Sequence, residues 1–326
     1  MIAAVLVAAA LTTVETDARH ELLGVVQLLS GRRAEVPLEP ALERKVRQRF
    51  AAFRDHPAVA LYAEACLRPG GDACGVQLLY YSQPPELKLE RPWRMPNLRA
   101  ESEKERFQRF LWELRDFARA SRFMEFHAER AAELASVEKA ARAELGGTDP
   151  LAVTQAYLGL SLEAKSRYVV SPLYTPRRYV SYIVPYPDPL TLPKPPAEGF
   201  AVHSLFAWVP AEKRPAGAPG VPVFDKRSAA LWHEPLFVLL DPAFPRYGLP
   251  PCPEEEDDCD KARLVSALVE RLAGVPARAD AAAFARKLRE YEADRRRWPT
   301  LWDFFPRLFS GKAAKPQTPR SVRELF

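Results

Sequence analysis

Apolar residues in the first half of the chain recur every three or four positions, the spacing at which side chains share one face of a helix. This pattern predicts amphipathic helices over residues 39–53 and 101–119, and a long helix over 121–145. The glycines at 146–147 end the long helix, because glycine readily adopts the left-handed conformation that follows many helix ends. The first half of the chain is therefore predicted to be helical.

A further helix pattern runs from Pro57 to Cys66 and carries two signals at its start. Asp55 is expected to cap this helix, and Pro57 suits its first turn. The Pro-Gly-Gly run at 69–71 ends the helix, and Cys74 begins the next element. Cys66 and Cys74 therefore bracket a turn between two helices, where a disulfide closes easily.

The pattern changes between residues 166 and 210, where three segments are rich in Val, Tyr and Phe and are bounded by Pro, Lys and Gly. These segments predict three strands in a small antiparallel sheet. Helical patterns return over 225–240, 260–273 and 279–294. The predicted fold class is α+β, mostly helical, with one small sheet.

The four cysteines form two close pairs in the sequence. Cys252 and Cys259 make the second pair and bracket an acidic turn. An even number of cysteines in tight local pairs predicts two disulfides and an oxidising compartment. A zinc site built from four cysteines favours C-x-x-C spacing, which neither pair has, and free thiols are the remaining alternative.

Residues 1–11 hold no charged side chain and are almost all apolar. This stretch is too short to cross a bilayer, but its length matches the apolar region of a secretory signal peptide. Ala8, Ala9 and Ala10 supply a small-residue cleavage site. We therefore expect a signal peptide over 1–11 and a secreted or periplasmic protein; a buried N-terminal strand or helix is the alternative. No other stretch is apolar enough to predict a membrane span.

The rest of the chain is predicted to form a single domain over residues 12–310. Its first half, 17–160, is expected to be helical, and 161–310 is expected to hold the sheet and a motif-bearing helix. Residues 311–326 are polar, basic and proline-containing, and we expect them to be disordered.

Charge argues against nucleic acid as a partner. Lys and Arg number 47 against 42 Asp and Glu, which leaves a net charge of +5. Much of this excess lies in 311–326, where four basic residues accompany one acidic residue. The body of the protein therefore lacks an extended basic field that would attract a polyanion.

One short segment carries candidate chemistry. His233 and Glu234 begin like the zincin signature H-E-x-x-H, in which two histidines one helical turn apart hold zinc and the glutamate activates the bound water. Phe237 stands at the second histidine position, and a phenyl ring cannot coordinate a metal. Pro235 also removes a helical hydrogen bond, or requires the helix to start nearby. His233 is thus predicted to be a vestigial ligand and Glu234 a vestigial general base.

Several segments in order strengthen this interpretation. ELLGVVQLLSG, FRDHPAVALYAEA, PELKLERPW and LREYEADRRRWPTLWDFFPRLF follow one another between about Asp17 and Leu308. In this order they resemble a bacterial family of exported proteins of unknown function whose members look like zinc metallopeptidases. Family members carry a motif similar to H-E-F-x-H-S-F-x-N-P, and this chain has HEPLFVLLDP over 233–242. The resemblance implies a zincin-like domain with the sheet next to the motif helix.

The resemblance also implies a third zinc ligand on a downstream helix, in the segment DKARLVSALVERL. The acidic residue of the family falls at Ala262 in this chain. Substitute ligands are Asp260, Glu270, the acidic run over 254–258, and His203 on a preceding strand.

These observations lead to three functional hypotheses. The first is an exported metallopeptidase-like protein without a metal cofactor, which binds a peptide or protein partner in the inherited cleft and does not cut it. The second is an active zinc-dependent hydrolase with a rebuilt site that uses His233 and Glu234. The third is a structural envelope protein. The glycine motifs of phosphate-binding loops, dinucleotide sites and serine hydrolases do not occur in the sequence.

Overall fold

The structure is a computed structural model. It describes residues 12–31, 38–68, 71–90, 101–158, 164–176, 180–184, 200–210, 223–224, 231–232, 236, 240, 260–274, 281–294, 296–297 and 301. The predicted signal peptide, the basic tail and the pair Cys252 and Cys259 lie outside these residues, and their predictions stay untested.

The fold is α+β and mostly helical, as predicted. The helices are α1 (Ala18–Leu29), α2 (Pro40–Arg49), α3 (Pro57–Cys66), α4 (Ala73–Leu78), α5 (Glu101–Ala120), α6 (Phe123–Glu129), α7 (Ala131–Leu145), α8 (Pro150–Leu158), α9 (Asp260–Ala273) and α10 (Ala282–Ala293). The strands are β1 (Thr13–Glu15), β2 (Leu67–Arg68), β3 (Gly71–Asp72), β4 (Ala164–Ser171), β5 (Val180–Val184) and β6 (Phe200–Ala207).

Within the described ranges, four strands form one sheet in the order β1-β4-β6-β5. β1 and β6 both run parallel to β4, and β5 runs antiparallel to β6. The expectation of an antiparallel sheet is therefore wrong. The consecutive strands β4 and β5 do not pair with each other; β6 lies between them and runs parallel to β4. β1 was not predicted, since three residues are too few to show an alternating pattern.

The two faces of the sheet contact different groups of helices, because successive side chains of a strand point to opposite faces. Val169 and Leu205 point to the core that α1–α6 build, on what we call the α1 face. Tyr168, Val170 and Phe206 point to the core that α7–α10 build, on what we call the α7 face. The sheet thus separates two hydrophobic cores.

The start of α3 differs from the expectation that Asp55 caps it. The cap is His56, whose Nδ1 accepts a hydrogen bond from the backbone N–H of Ala58 at 3.1 Å. Pro57 occupies the first helical position, so the capping position is the residue directly before the proline.

The long helix expected over 121–145 is divided into α6 and α7. Arg130 separates them and leaves helical geometry, with φ −98° and ψ 5°. Its guanidinium is buried and bonds to Glu21 on α1. A contact with a residue far away in the sequence therefore accompanies a break that local periodicity did not indicate.

A disulfide joins Cys66 at the end of α3 to Cys74 in α4, as predicted, across the short hairpin of β2 and β3. No helix in the described part of the chain has the length and apolar character needed to cross a membrane.

Candidate functional site

The segment over residues 231–242, which we call the motif segment, is described in part, and its described residues belong to the core on the α7 face. Four of its apolar residues are helical and buried, and three of these repeat every fourth position, as one face of a helix requires. The four are Leu231, Trp232, Leu236 and Leu240. His233, Glu234 and Phe237 lie outside the described residues, so the vestigial zinc site remains a prediction.

The position of the expected third ligand is occupied by Ala262, which is buried in the first turn of α9. Its methyl group offers no atom to a metal. Glu270 lies on the same helix, about 12 Å further along the axis at 1.5 Å per residue. Glu270 therefore cannot take the place of Ala262. The side chain of Asp260 and the acidic run over 254–258 lie outside the described residues.

His203 points to the α1 face of the sheet. It shares that face with Leu205, two residues further along β6, and its Nδ1 lies 3.4 Å from Nη1 of Arg167 on β4. The described residues of the motif segment pack on the α7 face instead. His203 thus lies across the sheet from them, which argues against its suggested role as a substitute ligand.

Three metal-ligating side chains approach one another on the surface between α3 and α5. Ligand atoms of His56, Glu113 and Asp116 lie within 4.8 Å of one another. Because Nδ1 of His56 accepts from Ala58, its Nε2 carries the proton in the neutral ring and faces Asp116 at 3.1 Å. Metal binding at Nε2 would need the opposite tautomer and would break the helix cap. This group is therefore better explained as a cap held by a carboxylate.

A network of buried charges occupies the α1 face where β1 ends and α1 begins. Asp17 caps α1 by accepting from the N–H of Arg19 at 2.9 Å, and Nη2 of Arg19 lies 2.5 Å from Oδ2 of Asp17. Arg19 also donates to the carbonyl of Tyr81, beyond the end of α4. Arg167 on β4 pairs with Glu15 and approaches Asp17 to 3.4 Å.

The charge of Asp17 is maintained despite its burial. Burial alone would raise the pKa of Asp17, but the neighbouring Arg19 and His20 side chains outweigh it and hold the pKa well below 3.8. The carboxylate is therefore ionised at neutral and mildly acidic pH.

A second ion network joins α1, α7 and the end of β4. Nη1 of Arg130 donates to Glu21 at 2.6 Å, and its Nε and Nη2 donate to the two carboxylate oxygens of Glu133. The hydroxyl of Ser171 donates to the other oxygen of Glu21 at 2.5 Å. Burial opposes the charge of Arg130, yet its hydrogen bonds to Glu133 and the nearby charge of Glu21 raise its pKa above the ordinary value.

The loop after β4 is fixed on α1 by polar contacts. The hydroxyl of Ser171 accepts from the N–H of Tyr174 at 2.7 Å. The side-chain amide of Gln27 donates to the carbonyl of Thr175 at 3.0 Å and accepts from its N–H at 3.1 Å. Gly24 permits this close approach, since a Cβ there would lie 2.5 Å from the nitrogen of Tyr174.

A crevice of about 620 Å³ opens beside this loop. It lies at the carboxyl ends of the parallel strands β4 and β6, the edge at which open sheets with parallel strands bind their ligands. Its walls come from the start of α2, from α7 and from the residues that follow β4 and β6, and most of them are apolar. The lining includes Leu38, Leu42, Val137, Pro172, Trp208 and Pro210.

The ion network reaches the wall of this crevice. Glu133 lines the crevice and is bound through Arg130 and Glu21 to Ser171. The carbonyl of Ser171 accepts from the N–H of Trp208 at 2.7 Å, which joins the residues after β4 to those after β6. The parts of the wall that follow β4 and β6, together with Glu133, are thus held in position by hydrogen bonds, as a preorganised binding site requires.

The crevice and the ion network were not predicted from the sequence. A signal for the network exists at the start of α1, where Asp17, Arg19 and Glu21 precede an apolar run. All three side chains are buried. Charged residues at the start of a helix are usually exposed to solvent, so their burial could not be predicted from the sequence alone. No known protein family, curated protein or solved structure matches this chain.

Proposed function

We propose that the protein is an exported, metallopeptidase-like protein that binds a peptide or protein partner without cutting it. The proposal rests on the resemblance of HEPLFVLLDP to a zincin motif and on the replacement of ligands within it. Phe237 stands at the second histidine position, and the buried Ala262 stands at the position of the third ligand. One imidazole from His233 is too few protein ligands to hold zinc, so the protein is proposed to act without metal.

The observation that carries the binding function is the preorganised crevice at the carboxyl ends of β4 and β6. Its volume of about 620 Å³ lies within the usual range of ligand pockets, and its lining is mostly apolar with few charged groups. Hydrogen bonds hold the part of the wall that follows β4 and β6, so these residues lose little conformational entropy when a ligand enters.

Export is proposed on two grounds. The disulfide between Cys66 and Cys74 supports an oxidising compartment. The apolar stretch over residues 1–11 has the length of a signal peptide. A secreted or periplasmic location would bring the protein into contact with peptides outside the cytoplasm.

Zinc analysis tests the loss of catalysis. After dialysis against a weak chelator, the wild type should contain no stoichiometric zinc and should show no peptidase activity. Phe237→His should recover little zinc, because Pro235 leaves the helix unable to present both histidines. The double variant Phe237→His with Pro235→Phe should bind measurable zinc, provided that an acidic group such as Asp260 supplies the third ligand. One zinc per chain in the wild type would overturn this proposal in favour of an active hydrolase with a rebuilt site.

Peptide binding tests the crevice. Mixed short peptides, blocked at both ends, should bind to the immobilised full chain. Adding the same protein in solution should compete for these peptides and displace them. Ala41→Arg should abolish this retention, since Ala41 lines the crevice and is exposed on α2. Ala60→Arg is the matched control, because Ala60 is exposed on α3 and is not among the residues that line the crevice. If no peptide is retained, or if both variants behave alike, the crevice is not the binding site.

A further inference from the structure

We infer that the crevice selects an uncharged, apolar peptide segment; this inference rests on the proposed function and names the class of ligand for that site. The argument depends on what each charged side chain in the wall already contacts, and on what the remaining wall can offer to a ligand.

Two of the charged groups in the wall are carboxylates that already bond within the protein. Glu39 caps α2 and accepts from the N–H of Leu42 at 2.8 Å. Glu133 receives two hydrogen bonds from Arg130, at 3.1 and 2.7 Å. A cationic ligand would have to compete with these contacts, and with a guanidinium that is held in place by Glu21 as well.

The charged amine in the wall is Lys45, and its Nζ lies 5.8 Å from the ring centre of Phe126. A cation over an aromatic face is attracted by the ring, and an exposed lysine adds little to the binding of an anion. Lys45 is exposed to solvent, where salt screens its charge. Among the residues that the structure describes, the wall therefore offers no buried, unengaged charge that would favour a charged ligand.

The rest of the wall favours apolar contact. Leu38, Leu42 and Val137 supply aliphatic surface, while Pro172 and Pro210 flank Trp208. Trp208 is only partly buried, lines the crevice and packs against Phe224 at 6.3 Å between ring centres. A charged side chain entering this surface would lose its hydration without gaining a partner.

The closing experiment compares three pools of short peptides, blocked at both ends, on the full-length chain. One pool contains only Ala, Val, Leu, Phe and Pro, and the other two carry one central Lys or one central Glu. The neutral pool should bind at least about tenfold more tightly than either charged pool. Raising NaCl from about 0.05 M to about 0.5 M should change its affinity less than about twofold, because no charge is neutralised on binding.

Lys45→Met serves as the second arm, since an exposed lysine can be replaced without disturbing the fold. In this variant the neutral pool should still bind at least about tenfold more tightly than the Glu pool, because the preference comes from the apolar wall and not from Lys45. Preferential binding of the Glu pool that Lys45→Met removes would overturn the inference, and so would preferential binding of the Lys pool. Either result would leave peptide binding itself intact, whereas failure of all three pools to bind would contradict the proposed function.

Discussion

The two faces of the sheet bury different kinds of side chain. On the α1 face, Arg167 and Ser171 of β4 enter networks of buried charges that include Asp17 and Glu21. On the α7 face, Tyr168 of the same strand packs with Phe206, and the rings of Phe206 and Phe224 meet edge to face at 5.4 Å. One strand thus contributes ion pairs to one core and aromatic contacts to the other.

This difference separates two ways of holding the sheet. The burial of apolar surface is non-directional and tolerates adjustment, whereas buried ions demand particular partners at particular distances. The α1 face, which we call the ionic face because of these buried charges, also connects to the crevice through Glu133. Its ion pairs therefore help to position the proposed binding site. The following predictions test whether the two faces respond differently to substitution.

The largest effect is expected for Arg130→Met on the ionic face. This change leaves the carboxylate of Glu21 buried without its cation, and should lower the free energy of unfolding by about 3–5 kcal/mol. Urea unfolding measures it. Arg142→Met is the control: Arg142 is exposed, pairs with Glu138 and donates to the carbonyl of Val14, so its loss should cost only about 1–2 kcal/mol.

A double variant sharpens the interpretation of that result. Arg130→Met combined with Glu21→Gln removes both charges, and should unfold at a higher urea concentration than Arg130→Met alone. Equal costs for Arg130→Met and Arg142→Met would show that the buried pair does not hold the ionic face.

Phe206→Ala tests the aromatic face. Removing this ring from its contacts with Tyr168 and Phe224 should cost about 3 kcal/mol through lost burial and a cavity. The cost should be the same at neutral and mildly acidic pH, because no titrating group is exposed by the change. A loss that varies with pH would mean that the two cores are not independent.

The disulfide should contribute less than either core residue. Cys66→Ala with Cys74→Ala opens a short loop between α3 and α4 and should cost about 2 kcal/mol in thermal or urea unfolding. Since Arg19 bonds to the carbonyl of Tyr81 near α4, the variant should still fold. Ala substitution at both positions without any loss of stability would contradict this role.

The smallest effect is expected from titration of His127, which adjoins the ionic face. Burial lowers its pKa below 6.5, although the charge of Glu21 partly opposes this. The unfolded chain then binds more protons, so this stabilisation is complete above pH 6.5 and is lost as the pH falls towards the folded pKa. His127→Gln should flatten the pH dependence of unfolding in that window. If His127→Gln leaves the pH dependence of the free energy of unfolding unchanged, that dependence arises from another group.

Asp17 affects a separate, more acidic window. Its pKa is held well below 3.8, so its stabilisation is present above that pH and disappears only as the pH falls further. Asp17→Asn should therefore flatten the pH dependence of the free energy of unfolding below pH 3.8. Near pH 6 it should steepen the dependence slightly, because the negative charge of Asp17 raises the pKa of His127 and its removal lowers that pKa further. Urea unfolding at a series of pH values measures both windows.

The candidate site was less accessible to sequence reasoning than the fold. The proposed zincin-like motif at His233 and Glu234 could be suggested from the sequence, because its residues are close together in the chain. The crevice combines residues from α2, α7, β4 and β6, and no local spacing relates Leu38 to Trp208. Likewise, the position of His203 across the sheet depends on strand register, which a side-chain alternation alone does not reveal.

What the sequence determined by itself was local. Periodicity set the helices α2, α3, α5 and α9, the glycines at 146–147 ended α7, and cysteine spacing indicated the disulfide between Cys66 and Cys74. These features depend on residues within a few turns of one another, where backbone geometry is sufficient.

Tertiary structure alone decided the direction of the strands, the break at Arg130 and the crevice. Strand direction depends on the crossover that returns the chain, and the parallel pair β1 and β4 is joined through α1–α8. The break at Arg130 accompanies the bond between its guanidinium and Glu21 of α1. The physical reason is common to all three. An inner strand and a buried charge need a partner, a crevice needs several walls, and segments distant in the sequence supply them.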